Sequence, residues 1–436
     1  AGRIVSIRAM GKASFATIQD QTGKVQFYIR EDEVDNYETF QKATDIGDIA
    51  GIEGTVFRTK MGEITIDTKK FTILAKSLRP LPEKWHGLQD KEIRYRKRFL
   101  DLICNQEIKE LFIKRTEFIK NIRNFLDQEG FLEVETPVLE EIPGGADANP
   151  FKTHHDALNT DLYLRIALEL HLKRLLVGGY EKVYEIGKVF RNEGISTQHL
   201  QEFTMLEFYQ AYADYEEMMK FTEKLYTEII KKTFNKLEFE FEQKKISFKT
   251  PWEKIDYYEL MKKETGIDLE KTKTKQQLVE EIEKKNLGQG IDLNTGKGRI
   301  IDQLYKKHAR PKITGPAFLI NHPTEVSPLA KPHRKLEGRV ERFQVIIQGI
   351  ETTNAFSELN DPIDQRKRFE EQAKLREAGD KEAQMLDENF LEALEVGMPP
   401  AAGNGMGIDR LFMILTGQES IRDTVIFPMM RPEGKE

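Results

Sequence analysis

The densest run of reactive side chains is Phe190-Arg191-Asn192-Glu193-Gly194-Ile195-Ser196-Thr197-Gln198-His199-Leu200-Gln201-Glu202-Phe203-Thr204-Met205-Leu206-Glu207-Phe208-Tyr209. The planar fork of Arg191 can clamp a phosphate or a carboxylate, and His199 can hold a further phosphate oxygen. Glu207 and Tyr209 are two apart, so on a strand they share one face. Taken singly, the arginine and glutamate also read as a surface ion pair and the histidine as structural. A second cluster, Glu351-Thr352-Thr353-Asn354-Ala355-Phe356-Ser357-Glu358, offers Glu351 as a hard oxygen donor for magnesium. Asn354, Phe356 and Glu358 alternate onto one strand face, or else mark a strand end running into helix-capping groups. In the third, Gly403-Asn404-Gly405-Met406-Gly407, the glycines let a ligand approach the backbone closely. Arg410 follows in the first turn of a helix and adds to its pull on anions, although a Gly-rich turn into a packed helix fits the same residues.

Familiar signatures are missing from this list. Gly296-Lys297-Gly298 lacks the first glycine and the hydroxyl of a Walker loop, Gly403 to Gly407 is not G-x-G-x-x-G, and there is no G-x-S-x-G. A nucleotide-binding enzyme of this sequence must hold phosphates by arginines and metal.

The elements that would position these groups follow from periodicity. Residues 1 to about 78 alternate in short runs, among them Phe15-Ala16-Thr17-Ile18 and Lys24-Val25-Gln26-Phe27-Tyr28-Ile29, with a helical interruption near residues 31–43. Five strands with one helix suit a small barrel of the oligonucleotide-binding (OB) type as well as a generic β domain. Phe15, Gln26 and Arg8 are the groups on it that could stack on or pair with unpaired bases. Arg79-Pro80-Leu81-Pro82 ends the pattern, because two prolines favour extended chain. A charged helical stretch runs from Lys91 to Leu102, and an amphipathic helix from about Glu107 to Glu129 follows, stopped by Gly130. Strands are expected at Phe131–Pro137, Lys182–Phe190, Phe203–Tyr209, Phe318–Ile320 and Arg342–Ile350, with helices at about Asp361–Ala378 and from Ile408. Between about Asp214 and Arg310 the chain reads as a charged helical insertion beside a β core.

The 436 residues suggest two or three domains. Hydrophobic residues make up 39% and charged residues 32%, and no apolar run approaches the roughly 20 residues of a membrane span. A net charge of −6 gives no bulk attraction to a polyanion. The single cysteine, Cys104, excludes an intrachain disulfide and fits a reducing cytoplasm. The chain opens on Ala1-Gly2-Arg3 rather than Met, as a processed or trimmed chain would.

In order along the chain, these clusters resemble the three signature motifs of the class II aminoacyl-tRNA synthetases, and in particular the lysyl-tRNA synthetases of bacterial type. The resemblance also rests on Pro80-Leu81-Pro82-Glu83-Lys84-Trp85-His86-Gly87-Leu88, Gly130-Phe131-Leu132-Glu133-Val134-Glu135-Thr136-Pro137, Pro143-Gly144-Gly145-Ala146, Ser327-Pro328-Leu329-Ala330-Lys331 and Gly407-Ile408-Asp409-Arg410-Leu411. It implies an α+β fold in which a five-stranded OB-type barrel (1–78) reads the anticodon. A linker (79–104) leads to a class II catalytic domain (105–436), an antiparallel sheet flanked by helices, with the helical insertion at about 214–310. The implied activity is a cytoplasmic, homodimeric lysine–tRNA ligase that uses ATP and Mg²⁺, with L-lysine and tRNA(Lys) as its other substrates.

Residue by residue, the resemblance puts Arg191 and Glu193 on the α-phosphate and adenine, and Phe203 and His199 on adenine and the γ-phosphate. Arg410 matches the motif-three arginine on the γ-phosphate, and with Arg191 it would be catalytic. Gly145, Glu169, Glu207 and Asn354 match groups around the lysine α-amino and carboxylate, where Arg191 also reaches. Tyr209 and Glu358, with Phe356 beside them, match those at the ε-ammonium. Phe15, Gln26 and Arg8 match anticodon-reading positions. Four departures stand out. Gln344 replaces a glutamate that would share magnesium with Glu351, which predicts weaker metal affinity. Leu200-Gln201 replaces Asn-Pro, which should loosen the motif-two loop. Ala401-Ala402 replaces Thr-Gly, which should tighten the pocket floor. The extension that precedes the barrel in the family is missing from the chain as given. A paralogue that lysylates a protein, or a weakened synthetase kept as an RNA-binding dimer, remains an alternative.

Overall fold

In the first eighty residues every second side chain turns inward. Ala16, Ile18, Phe27 and Ile29 are buried, while Phe15, Thr17 and Tyr28 between them are not. In the computed structural model, which describes residues 1–82, 88–380 and 382–434, this alternation closes a five-stranded barrel. The matched segment Glu83 to Gly87 lies outside the described residues. Around the barrel the strands run Gly2–Met10, Ala13–Gln19, Lys24–Arg30, Ile64–Ala75 and Ile49–Arg58. The helix Tyr37–Ala43 seats Tyr37 and Phe40 against Phe27 and Phe71. Two compact units result, Ala1–Ile108 and Lys109–Glu436. Among the described residues no helix is long and apolar enough to cross a membrane.

The second unit is built on an eight-stranded sheet. Its order is Glu253–Asp256, Ala317–Ile320, Arg342–Ile347, Ile350–Ser357, Ala401–Gly407, Glu202–Ala211, Lys182–Phe190 and Leu132–Glu133. The pairings within it are antiparallel, as expected, but the first and last pairs are parallel, so the sheet is mixed. Each parallel partner arrives by a long connection, which parallel pairing requires. The expected single strand Arg342–Ile350 is instead a hairpin. Gln348 and Gly349 both take positive φ, 48° and 71°, and turn the chain back into Ile350–Ser357. The glycine run 403–407 is a strand in the middle of the sheet rather than a loop.

The segment 214–310 also departs from the expected helical insertion. Met218, Leu225, Tyr226 and Ile229 of the helix Tyr215–Phe234 belong to the main core under the sheet, and Glu253–Asp256 pairs at its edge. The charge on this helix hid an apolar stripe wide enough to pack. Only the part beyond Tyr257 forms a separate core, around Leu260, Leu278, Ile301 and Leu304.

One face of the sheet, with Leu206, Phe208, Ala355 and Met406, packs on the helices Gln106–Gln128, Tyr215–Phe234 and Ile408–Leu415. The opposite face is left for the site. Arg115 and Asp409 tie the first of these helices to the last. Asp409 is 1% exposed and accepts from Arg115 Nη2 at 2.6 Å and from the Thr204 N–H at 2.8 Å. Removing one partner of such a buried pair leaves an uncompensated charge. Asp409→Ala should therefore lower unfolding stability by about 3–5 kcal/mol. Denaturant titration checks this, and a loss below about 1 kcal/mol would return the pair to the class of weak surface bridges.

Candidate active site

Strand register assembles residues far apart in sequence into two rows across the open face of the sheet. In one, Glu207 lies opposite Gly405, Gly405 opposite Asn354, and Asn354 opposite Gln344. In the other, Tyr209, Gly403, Phe356 and Arg342 follow in the same way. The second position of each row is a glycine, so the floor there is backbone. A Cβ on Gly403 would come within 2.2 Å of Tyr209 Cε1 and 2.3 Å of Glu358 Oε1. Above this floor lies a cavity of about 640 Å³.

The structure gathers the predicted residues around this one cavity. Gly145, Glu169, Arg191, Glu193, His199 and Phe203 line it, as do Glu207, Tyr209, Glu351, Asn354, Phe356 and Arg410. Glu358 sits just beneath, 1% exposed. Arg191 follows the end of its strand and lies over the Phe203 ring at 5.2 Å. Arg410 donates from Nη1 to the Glu351 carbonyl at 3.1 Å. A register irregularity between Val345 and Ile346 lets the Glu351 side chain join the cavity wall.

One side of the cavity, beside Glu358, is crowded with buried carboxylates. Glu207 accepts from the Leu168 N–H at 2.9 Å and from the Tyr209 hydroxyl at 2.8 Å. Burial, and then the charge of Glu169, push its carboxyl up to about 7. Lys173, which sequence reasoning missed, is fully buried between Glu169 and Glu358. Its Nζ bonds Glu169 and lies 2.5 Å from Glu358 Oε2, over the faces of Phe356 and Phe390. Burial works against this ammonium, but the two carboxylates outweigh it and hold it charged. Burial raises both Glu169 and Glu358, and Lys173 opposes the rise. An i, i+4 Glu-Lys pair on a helix ordinarily reads as solvated. The signal available was the leucines around it, Leu170, Leu172 and Leu176, all buried.

The cavity also carries a cluster of cations. The cleft and the charges of Arg410, Arg310, Lys306 and Arg191 hold the His199 imidazole down at about 4, so it is neutral and accepts or donates one hydrogen bond, here with Ser196 Oγ at 2.8 Å. Arg310 and Lys306 were not anticipated. Arg342, also unanticipated, donates to Asn354 Oδ1 at 2.8 Å and fixes that amide.

Each departure from the family pattern has a defined setting in the structure. Gln201 is buried. Its backbone C=O accepts from the Arg191 N–H at 2.8 Å and its side chain donates to the Glu193 carbonyl, while Leu200 joins the main core. These contacts tie Gln201 to Arg191 and Glu193. Ala401 and Ala402 face the two cores and do not line the cavity, so they leave the pocket floor as it is. Gln344 Oε1 accepts from His322 Nε2 at 3.2 Å and from the Tyr305 hydroxyl at 3.4 Å. Among the described residues no three His, Cys, Asp or Glu side chains converge as a metal site.

On the barrel, Arg8 lies opposite Phe15 and Phe15 opposite Tyr28, a row across three strands. The Phe15 and Tyr28 ring centroids are 4.6 Å apart. Gln26 is two residues from Tyr28 on the same face and is held by Glu63 and Thr65, each at 2.9 Å. Tyr28 was the missed member, hidden in an otherwise regular strand alternation.

Comparison with known proteins agrees with this arrangement. The family model of class II tRNA synthetases (D, K and N) matches residues 90–431, and that of an OB-fold nucleic acid binding domain matches residues 1–80. The lysine–tRNA ligase of Carboxydothermus hydrogenoformans is 54% identical over 434 residues, 99% of this chain and 88% of that protein. That of Pelotomaculum thermopropionicum is 52% identical over 434 residues, covering 99% and 86%. The lysine–tRNA ligase of Nostoc punctiforme is 48% identical over 444 residues, covering 100% and 79%. With its glycine-floored cavity, cationic rim and stacked barrel face, the chain belongs to the class II tRNA synthetases and, within them, to the family of the lysine–tRNA ligases.

Proposed function

We propose that the chain activates L-lysine with ATP and transfers it to the 3′ end of tRNA(Lys). The charge balance of the pocket is the observation that carries this reading. Glu169, Glu207 and Glu358 are buried around one internal cation, Lys173, so two of the three carboxyls can ionise at small cost only when a ligand brings cations to them. Lysine brings two ammonium groups. Its α-ammonium goes to Glu207 and Glu169, and its ε-ammonium to Glu358 and the Tyr209 hydroxyl. A ligand lacking the second ammonium would leave Glu358 underpaired, which is how such a site rejects near-isosteres.

The lysine carboxylate lies toward Arg191 and attacks the ATP α-phosphorus in line, forming lysyl-adenylate as pyrophosphate departs. Arg191 neutralises the α-phosphate and Arg410 the γ-phosphate, with adenine stacked on Phe203 and contacted by Glu193, and His199 at the γ-phosphate. Neither a covalent enzyme intermediate nor a dedicated base is required. Mg²⁺, when bound with ATP, neutralises phosphate charge. Glu351 suits it as a carboxylate ligand, whereas the engaged amide of Gln344 does not.

The barrel, residues 1–78, would read the anticodon by stacking on Phe15 and Tyr28, with Arg8 and Gln26 at its margin. Residues 79–104 connect it to the catalytic domain, 105–436. Exposed Leu132, Val138, Leu139 and Leu158 support a second copy of the chain as partner, and the low cysteine content supports a cytoplasmic setting. A weakened paralogue is not favoured, because Arg191, Arg410 and the pocket carboxylates are all in place.

The direct test is charging of a lysine tRNA transcript with radiolabelled lysine in the presence of Mg²⁺ and ATP. Stable lysyl-tRNA is the expected product, and charging by another amino acid in preference to lysine would overturn the reading. Glu207 must lose its proton to pair with the α-ammonium. Lysine affinity should accordingly be full above about pH 7 and fall as pH drops through it, by at most roughly tenfold per unit. Calorimetric titration of lysine across that range measures the slope, and Glu207→Gln should bind more weakly with the slope abolished. For the barrel, Phe15→Ala should weaken tRNA binding by about 1–3 kcal/mol in a gel-shift titration.

A further inference from the structure

Tyr305, Lys306 and Arg310 lie on a stretch whose sequence reads only as charged helix. The chain there widens into a π turn, Tyr305–Ala309, and the Arg310 N–H bonds the Tyr305 carbonyl five residues back. In an α-helix, residues five apart diverge onto different sides; the wider turn swings Arg310 back toward the side of Tyr305. Both residues then line the same cavity as Glu351 and Arg410. Arg310 is half-buried, and its buried Nε has no hydrogen-bond partner among the described residues. Its charge reaches both His199 and Arg410. A guanidinium with an unmet buried donor beside the Arg410 cation is costly unless an anion completes the cluster.

Gln344 explains why Arg310 is not neutralised from within. A carboxylate at that position would add a negative charge to the wall of the cavity that Arg310 also lines. The amide adds none, and its one oxygen is already occupied by His322 and Tyr305. What Gln344 has left to offer is an N–H pair, which donates to anions and repels cations.

Building on the ligase reading above, we propose that Arg310, assisted by the Gln344 amide, holds the pyrophosphate limb of ATP in place of a metal ion shared between two carboxylates. A planar guanidinium meets adjacent phosphoryl oxygens with two parallel hydrogen bonds and needs no metal to do so. Mg²⁺ on the nucleotide then depends on the single carboxylate of Glu351, and nucleotide binding is partly uncoupled from the metal.

Equilibrium binding of ATP, and separately of inorganic pyrophosphate, to the full chain in EDTA and in Mg²⁺ tests this. The unmodified protein should hold ATP in EDTA. Arg310→Met should weaken that binding roughly tenfold or more, with a smaller loss in Mg²⁺, and Arg310→Lys should restore part of it. Gln344→Glu should make ATP binding dependent on Mg²⁺. Equal ATP affinity of Arg310→Met and the unmodified protein in EDTA would overturn the proposal, as would loss of ATP binding by the unmodified protein on removing the metal. Thermal unfolding of each variant separates a lost contact from a lost fold. Lysine-dependent pyrophosphate exchange by the unmodified protein in Mg²⁺ is the separate control on the ligase reading, since its absence would sink that reading whatever the binding data give.

Discussion

Three carboxylates buried beside one ammonium form the constraint around which the catalytic unit is organised. Glu169, Glu207 and Glu358 cannot all be ionised in a water-poor pocket at small cost, and the single Lys173 offsets only part of their charge. Burial, and then the charge of Glu169, push the Glu207 carboxyl up to about 7, above the usual carboxylate range. The same crowding accounts for neighbours that otherwise look unrelated. The Tyr209 hydroxyl and the Leu168 N–H satisfy Glu207, the rings of Phe356 and Phe390 flank the Lys173 ammonium, and Arg342 fixes Asn354.

Charge is grouped around the cavity. Glu169 and Glu207 line it with Glu358 beneath, while Arg191, Lys306, Arg310 and Arg410 gather about His199. The acidic balance of the whole chain was therefore a poor guide to its partners. A net charge of −6 describes the surface average, whereas recognition depends on how charge is sorted within a few ångströms.

Local pattern carried the fold a long way. The strands Lys182–Phe190 and Glu202–Ala211, the start of the last helix at Ile408 and the alternation of the barrel all follow from period-two and period-3.6 spacing. The misreadings arose where a residue's role was decided by register with distant strands, or by packing that charge concealed. The glycines at 403–407 read as a turn until their neighbours on both sides are known. The helix Tyr215–Phe234 read as solvated because its charges outnumber its visible apolar stripe. The site residues were legible mainly as a set, through resemblance, since each alone had an ordinary explanation. Lys173, Tyr28 and Arg310 belonged to no recognisable motif, and only packing, cross-strand pairing and a π turn reveal them.

The floor at the second position of each row is made of backbone, because Gly403 and Gly405 contribute no side chain there. A floor of that kind has no smaller version, and any substitution at Gly403 adds atoms against Tyr209 and Glu358. Mutational drift at this strand can thus only make the pocket shallower. A lineage moving toward a bulkier amino acid would have to retract a wall such as Phe356 or Tyr209 instead, giving up aromatic packing or a hydrogen bond in the process. The route to altered specificity is one-way at its centre and open only at its sides.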